Sequence, residues 1–292
     1  MCLLAIAVGA SARWPLVIAS NRDEFRDRPT LPLAVWLTPG DNTVMSGRDL
    51  RAGGTWMGST PGGRIALLTN VREPDAVTAA LSRGELPLRW LEGQMNAAQF
   101  LAGIHAQSYG GCNVVLGDFL SGEWTWASNR GELLAGAVLP MNSHLTASGW
   151  QTMALSPGIY GLSNALLDTP WPKTQALKAA MQTALTLADT DGDESVLARV
   201  LWTALADSER AALGYLPNTG VSTDFEHALS SALVDMPERG YGTRCSSLMW
   251  VATQSTADTY SATMCEKTLT PQPQGHDDTA EPRVRLTWPL RA

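Results

Sequence analysis

Lysine is scarce in this chain of 292 residues: Lys173, Lys178 and Lys267 are the only ones. With 21 basic against 28 acidic side chains and a formal net charge of −7, it lacks the cationic footprint that nucleic acid or an anionic membrane requires. Long apolar runs are missing as well. The opening segment, MCLLAIAVGASARW, is apolar only from position 2 to position 8 and has no basic stretch ahead of it. It reads as a strand of the mature protein, not as a signal peptide or a membrane span. The 4 cysteines (Cys2, Cys112, Cys245 and Cys265) contain no C-x-x-C pair. Without an export signal, reduced thiols and a cytoplasmic location are expected. The 4 histidines, His105, His144, His227 and His276, are isolated and give no metal-ligand spacing. G-x-S-x-G, H-E-x-x-H and G-K-[ST] are all absent, so serine-elbow, zincin and phosphate-loop chemistry lack support. Segment 189–194 starts like a calcium loop but offers Glu194 where glycine is needed and Val200 where glutamate is needed. Acidic residues at a helix entry are the better reading.

What the chain does have is a core-forming composition, 45% hydrophobic and 17% charged, with 11 Trp against 4 Phe. Trp56, Trp90, Trp124, Trp126, Trp150 and Trp171 read first as core and second as the lining of an apolar cleft. Segments 2–8 and 15–20 form a hairpin across the small residues 9–14. Segments 53–58 and 63–69 make a second strand pair around Pro61-Gly62. From 87 to 107 the pattern turns helical, with Trp90, Leu91, Met95, Phe100, Leu101 and Ile104 on one apolar face. Strands follow at 113–118, 123–128 and 132–138, helices at 174–187 and 195–206, and strands at 244–252, 259–268 and 283–288. A loop rich in Pro, Gly and Thr covers 214–224, and 272–282 is a polar excursion. Hairpins without strict β-α alternation predict an α+β fold of antiparallel sheets covered by helices, in one domain over 1–292.

Cys2 is the first candidate for chemistry. Once Met1 is removed, its thiol, with a reference pKa of about 8.5, shares a residue with an α-amine of about 7.7–8.0. The amine can take the thiol proton directly or through one water, so no second side chain has to be oriented. The competing reading is a small hydrophobe at the start of a strand. A hairpin centred near Ser11 and Ala12 sets Cys2 opposite Asn21. By strand alternation Asn21 and Asp23 then share one face, while Arg22 and Glu24 share the other. For Arg22 and Glu24 a structural ion pair weighs evenly with function.

Asn21-Arg22-Asp23-Glu24-Phe25, with Arg28-Pro29 after it, resembles the signature of the NRDE family, also called the transport and Golgi organisation protein 2 family. Further matches are 53–58 (GGTWMG), 68–72 (LTNVR), 82–84 (SRG), 161–164 (GLSN), 167–173 (LDTPWPK) and 241–244 (YGTR). That family is similar in turn to cysteine-type N-terminal nucleophile hydrolases. The resemblance implies a four-layer αββα sandwich with the nucleophile at the start of the first strand. It further implies Cys2 as nucleophile, Asp23 as the contact of the terminal amine, and Asn70 and Asn164 as the oxyanion asparagines. Arg244 is implied as an arginine near the thiol, favouring thiolate. Asn21, Arg22, Glu24 and Trp56 are implied as binding or structural neighbours. The expected activity is hydrolysis of a non-peptide amide in a small acyl-amide, with no cofactor required. The alternative is a haem or acyl-lipid trafficking protein that uses the same cleft without turnover, since a thiolate can also ligate haem iron.

Overall fold

The computed structural model describes residues 3–74, 79–130, 139–254, 259–269 and 282–289. Strands β1 (Leu3–Val8) and β2 (Leu16–Phe25) open the chain. They are followed by β3 (Thr30–Leu37), β4 (Thr43–Asp49), β5 (Met57–Ser59) and β6 (Arg64–Asn70). Helices α1 (Glu85–Glu92) and α2 (Ala97–Ala102) precede β7 (Cys112–Asp118), β8 (Glu123–Ser128), β9 (His144–Leu145), β10 (Gln151–Ala154) and β11 (Gly158–Leu162). Then come α3 (Pro172–Asp191), α4 (Glu194–Leu205) and α5 (Thr223–Ala228). The chain closes with β12 (Asp235–Met236), β13 (Tyr241–Thr253), β14 (Thr259–Thr268) and β15 (Arg283–Pro289).

Among the described residues the strands form two antiparallel sheets. The first runs β11-β1-β2-β13-β14-β15, with β12 also paired to β13; the second runs β3-β4-β5-β6-β7-β8-β10-β9. Alternation along β1 and β2 sorts the side chains into two layers. Leu4, Ile6, Val8, Leu16 and Ile18 enter the core between the sheets, against Met57, Ile65, Leu67 and Trp126. Leu3, Ala5, Ala7, Val17 and Ala19 face outward onto Leu177, Met181 and Leu185 of α3 and Leu197 and Leu201 of α4. On the far side, Ala66, Leu68, Val114 and Leu116 of the second sheet pack on Leu86 and Trp90 of α1 and Phe100 and Leu101 of α2. The layers are helix, sheet, sheet, helix, as the α+β expectation holds. Strands so buried on both faces read as continuous apolar runs, and the small alanines of β1 and β2 let α3 and α4 approach closely.

Two local expectations are corrected, the hairpin register and the single helical segment over 87–107. Leu3, rather than Cys2, pairs with Asn21. The connection spans Gly9 to Pro15, closed by the Gly9 N–H donating to the Pro15 carbonyl at 2.8 Å with Gly9 at φ 57°, so its centre falls on Ala12 alone. The helical segment 87–107 is two helices: Gly93 turns extended after α1, and Asn96 starts α2 with a capping box to Gln99. Its apolar face is buried at Trp90, Leu91, Phe100, Leu101 and Ile104, but Met95, in the break, is 57% exposed. The segment 189–194 is a helix junction: Gly192 ends α3 in the left-handed region and Asp193 caps α4. The expected strand at 132–138 and most of the excursion at 272–282 lie outside the described residues. Among those described, no helix is long and apolar enough to cross a membrane.

Candidate active site

Cys2 itself lies outside the described residues. The residues proposed around it are described, and they gather at the end of the first sheet where β1 begins. Leu3 pairs with Asn21, Asn21 with Ser246, and Arg22 with Cys245. Asp23 pairs with Thr243, and the register slips between Thr243 and Cys245, so Arg244 is the extra residue of a bulge.

Alternation separates these side chains as the sequence suggests. Asn21 is fully buried on the helical side, where its Nδ2 donates to the carbonyls of Leu205 and Ala232, both at 2.8 Å. Its Oδ1 accepts the Ser246 hydroxyl at 2.6 Å. That carboxamide ties β2 to the end of α4 and is a structural brace. Asp23 accepts the Thr243 hydroxyl at 2.7 Å, and the Val234 N–H donates to the same hydroxyl at 2.9 Å.

Arg22 turns to the space between the sheets. Its guanidinium lies 4.3 Å from the centre of the Trp56 ring and donates to Thr30 Oγ1 at 3.3 Å and Asp49 Oδ2 at 3.4 Å. Glu24 is 4.0 Å away, so the expected Arg22–Glu24 pair is weaker than the contact with Asp49. Arg28 completes the cluster, 2.6 Å from Asp49 and 3.6 Å from Glu24. Burial opposes ionisation of Asp49. The hydrogen bonds from Arg28 and the Ala52 N–H, with the charges of Arg28 and Arg22, nevertheless hold its carboxyl below the ordinary value. Trp56 reaches beneath Arg22 because residue 47 is glycine; a Cβ there would stand 2.3 Å from the indole ring.

Arg244 is 4% exposed and donates through Nη1 to the carbonyls of Phe25 at 2.8 Å and Arg28 at 3.0 Å. Burial, and next the charge of Arg22, pull its pKa down. Through Nη1 the side chain fastens the turn after β2. The two asparagines come together from different sheets: Asn164, just after β11, donates through Nδ2 to the Asn70 carbonyl at the end of β6, at 3.1 Å. The Asn70 side chain, half-buried, has no hydrogen-bonding partner among the described residues. Arg72, which contacts Asn164, lines a small cleft together with Trp171, Glu226 and Leu229.

Sequence reasoning missed Asp49 and Thr30, and it quoted Thr243 within the motif 241–244 without giving it a role. Nothing but the fold joins them to the Asn21–Phe25 segment, although Asp49 stands shortly before the quoted Gly53-Gly54 motif. The described thiols are poor nucleophiles. Burial pushes Cys112 up to about 12 and, helped by the Glu266 charge, pushes Cys245 well above its ordinary value. Cys265 is fully buried. Among the described residues no three His, Cys, Asp or Glu side chains gather as a metal site.

Two antiparallel sheets between helical layers, with polar residues converging where the first strand begins, define the class of molecule. The chain matches the family model for Transport and Golgi organisation 2 over residues 1–270, and it belongs to that family. The Transport and Golgi organization protein 2 homolog of Bos taurus is 36% identical over 169 residues, 55% of this chain and 54% of the relative. The Mus musculus homolog is 34% identical over a stretch of the same length. The chain thus spans about half the length of the curated relatives it matches. Among solved structures, a Caenorhabditis elegans N-acylethanolamine-hydrolyzing acid amidase ortholog is similar at TM-score 0.48 and 10% identity, covering 85% of this chain and 92% of that one. A mutant conjugated bile acid hydrolase from Clostridium perfringens is similar at TM-score 0.42 and 7% identity, covering 100% and 98%.

Proposed function

We propose that this chain is an N-terminal cysteine amidohydrolase that cleaves the non-peptide C–N bond of a small acyl-amide. The observation that carries the reading is the convergence of Asn164, Asn70 and Arg22 on the start of β1. The pairs Leu4–Leu162 and Leu3–Asn21 are the last described at this end of β1. Just beyond those pairs, the flanking strands continue to Asn164 on one side and Arg22 on the other. Arg22 turns its guanidinium to the face between the sheets, which Leu4 and Ile6 also occupy. In this reading Asp23, the next residue of β2, is the contact of the α-amine.

In this reading the amine takes the thiol proton and the thiolate attacks the substrate carbonyl. The Asn164 amide, with Asn70, stabilises the oxygen charge that develops; one such donor is typically worth about 2.7–4 kcal/mol. The C–N bond breaks as the ammonium group returns a proton to the leaving amine. Water, deprotonated by the same amine, then hydrolyses the thioester, releasing the acid and restoring the thiol. Arg22 is the cation that favours thiolate in this reading, because its guanidinium lies on the face between the sheets, while Arg244 binds the carbonyls of Phe25 and Arg28 through Nη1.

The test is amine release from a panel of N-acyl amides by wild type and Cys2→Ala. Release that disappears in the variant supports the reading, and release that persists in Cys2→Ala contradicts it. A haem titration on the same pair covers the carrier alternative. Wild type that releases no amine, yet shows a Soret shift lost in Cys2→Ala, would replace the hydrolase with a haem-binding protein.

A further inference from the structure

We propose that Arg72 and Glu226 are positioning residues that set which way the Asn164 carboxamide faces; only the activity arm of the test rests on the hydrolase reading. Asparagine presents an acceptor and a two-proton donor on nearly symmetric arms, and a half-turn exchanges them. An oxyanion donor is useful only in one of the two settings. At Asn164 both arms are held. The Arg72 backbone N–H donates to the Asn164 carbonyl at 2.8 Å, which fixes the main chain. Arg72 Nη2 and the Ser163 hydroxyl both donate to Asn164 Oδ1 at 3.4 Å, which marks that arm as the acceptor. On the other arm Nδ2 gives one proton to the Asn70 carbonyl at 3.1 Å, leaving its second proton for a substrate oxygen.

Arg72 can impose this only because it is itself held. Its Nη1 pairs with the Glu226 carboxylate, and its guanidinium lies 4.9 Å from the centre of the Trp171 ring. The two charged side chains are 8% and 2% exposed, so each depends on the other for compensation. The second Glu226 oxygen accepts the Thr219 N–H at 3.0 Å and the Thr219 hydroxyl at 2.5 Å. Glu226 thus has two separable contacts, one toward Arg72 and Asn164, the other toward the loop before α5. A structural brace would serve the loop alone. A positioning residue must also act on Asn164.

The experiment follows the side-chain amide of Asn164 in protein labelled with 15N-asparagine, assigned by its disappearance in Asn164→Asp. Exchange of that amide with water is compared in wild type, Glu226→Gln, Arg72→Lys and Thr219→Val. Loss of the aligning contact is expected to speed exchange about tenfold in Glu226→Gln and Arg72→Lys. Thr219→Val, which removes the hydroxyl bond to Glu226 and keeps the backbone N–H bond, is expected to match wild type. Equal exchange in all four proteins, or equal acceleration in Thr219→Val, overturns the proposal. Where an acyl-amide is turned over, Glu226→Gln and Arg72→Lys lower kcat with KM held, and Thr219→Val keeps both. If wild type hydrolyses nothing on the panel, the hydrolase reading fails, and the amide exchange still decides the positioning role.

Discussion

A guanidinium stacked on an indole and shared with a carboxylate is held in one place, and Arg22 is held in that way by Trp56 and Asp49. Its charge is fixed on the face of the first sheet that looks into the molecule. Removing it as Arg22→Gln is expected to raise the pH midpoint for alkylation of Cys2 by about one unit or more. Arg244→Gln is expected to move that midpoint less, because its Nη1 binds the carbonyls of Phe25 and Arg28. Iodoacetamide labelling rates across pH, with peptide mapping of the adduct, check both; a larger shift in Arg244→Gln would return the role to that residue. Gly47 makes a second residue-scale prediction. An added Cβ would meet Trp56 at 2.3 Å, so Gly47→Ala should destabilise the protein by about 1–3 kcal/mol, read by urea unfolding. Much at this scale was legible in the chain: alternation along 21 to 24 put Asn21 and Asp23 on one face and Arg22 and Glu24 on the other. The partners were not, because Thr30, Asp49 and Thr243 reach this cluster only through strand pairing and sheet stacking.

At the scale of elements, β2 is held at its outer end by side-chain bonds to the helical layer. Asn21 alone makes three hydrogen bonds, to Leu205, Ala232 and Ser246. Asn21→Ala leaves those groups buried and unanswered, and a loss of about 2–4 kcal/mol is expected in the same urea titration, from several such penalties combined. A change under one kcal/mol would mean that water replaces the carboxamide. The hairpin arithmetic missed by one residue because the length of the connection, not its small residues, decides the centre. Gly9 bonding to Pro15 sets that length. The break of the 87–107 helix was legible in Gly93 and Asn96, which carry ordinary stop and start signals. Apolar periodicity on both sides masked them.

Across the whole molecule, the two sheets are joined by polar contacts as well as by their apolar core. Glu266 of β14 is 2% exposed; it accepts the Leu33 N–H of β3 at 3.0 Å and the Ser247 hydroxyl at 3.3 Å. Burial raises its pKa, and the hydrogen bonds and the Arg22 charge offset only part of that rise. A carboxyl whose folded pKa exceeds its unfolded value makes the native state bind the proton more tightly. The stability it contributes is full below the unfolded pKa and declines as pH rises through the folded one. Stability measured against pH should therefore fall more steeply in wild type than in Glu266→Gln above the ordinary carboxylate range. Parallel profiles would show that this carboxyl does not titrate on unfolding. Antiparallel sheets covered by helices followed from hairpins without β-α alternation and the four-layer order from the family resemblance, whereas the path of β11 back to β1, which brings Asn164 to the site, is a long-range pairing that no local pattern announces. The central claim concerns the residue bonded to Leu3. Intact-mass measurement of the native protein after brief iodoacetamide treatment tests it most directly: Met1 should be absent, with one adduct that maps to Cys2. Retained Met1, or an adduct on Cys112, Cys245 or Cys265 in place of Cys2, would contradict it.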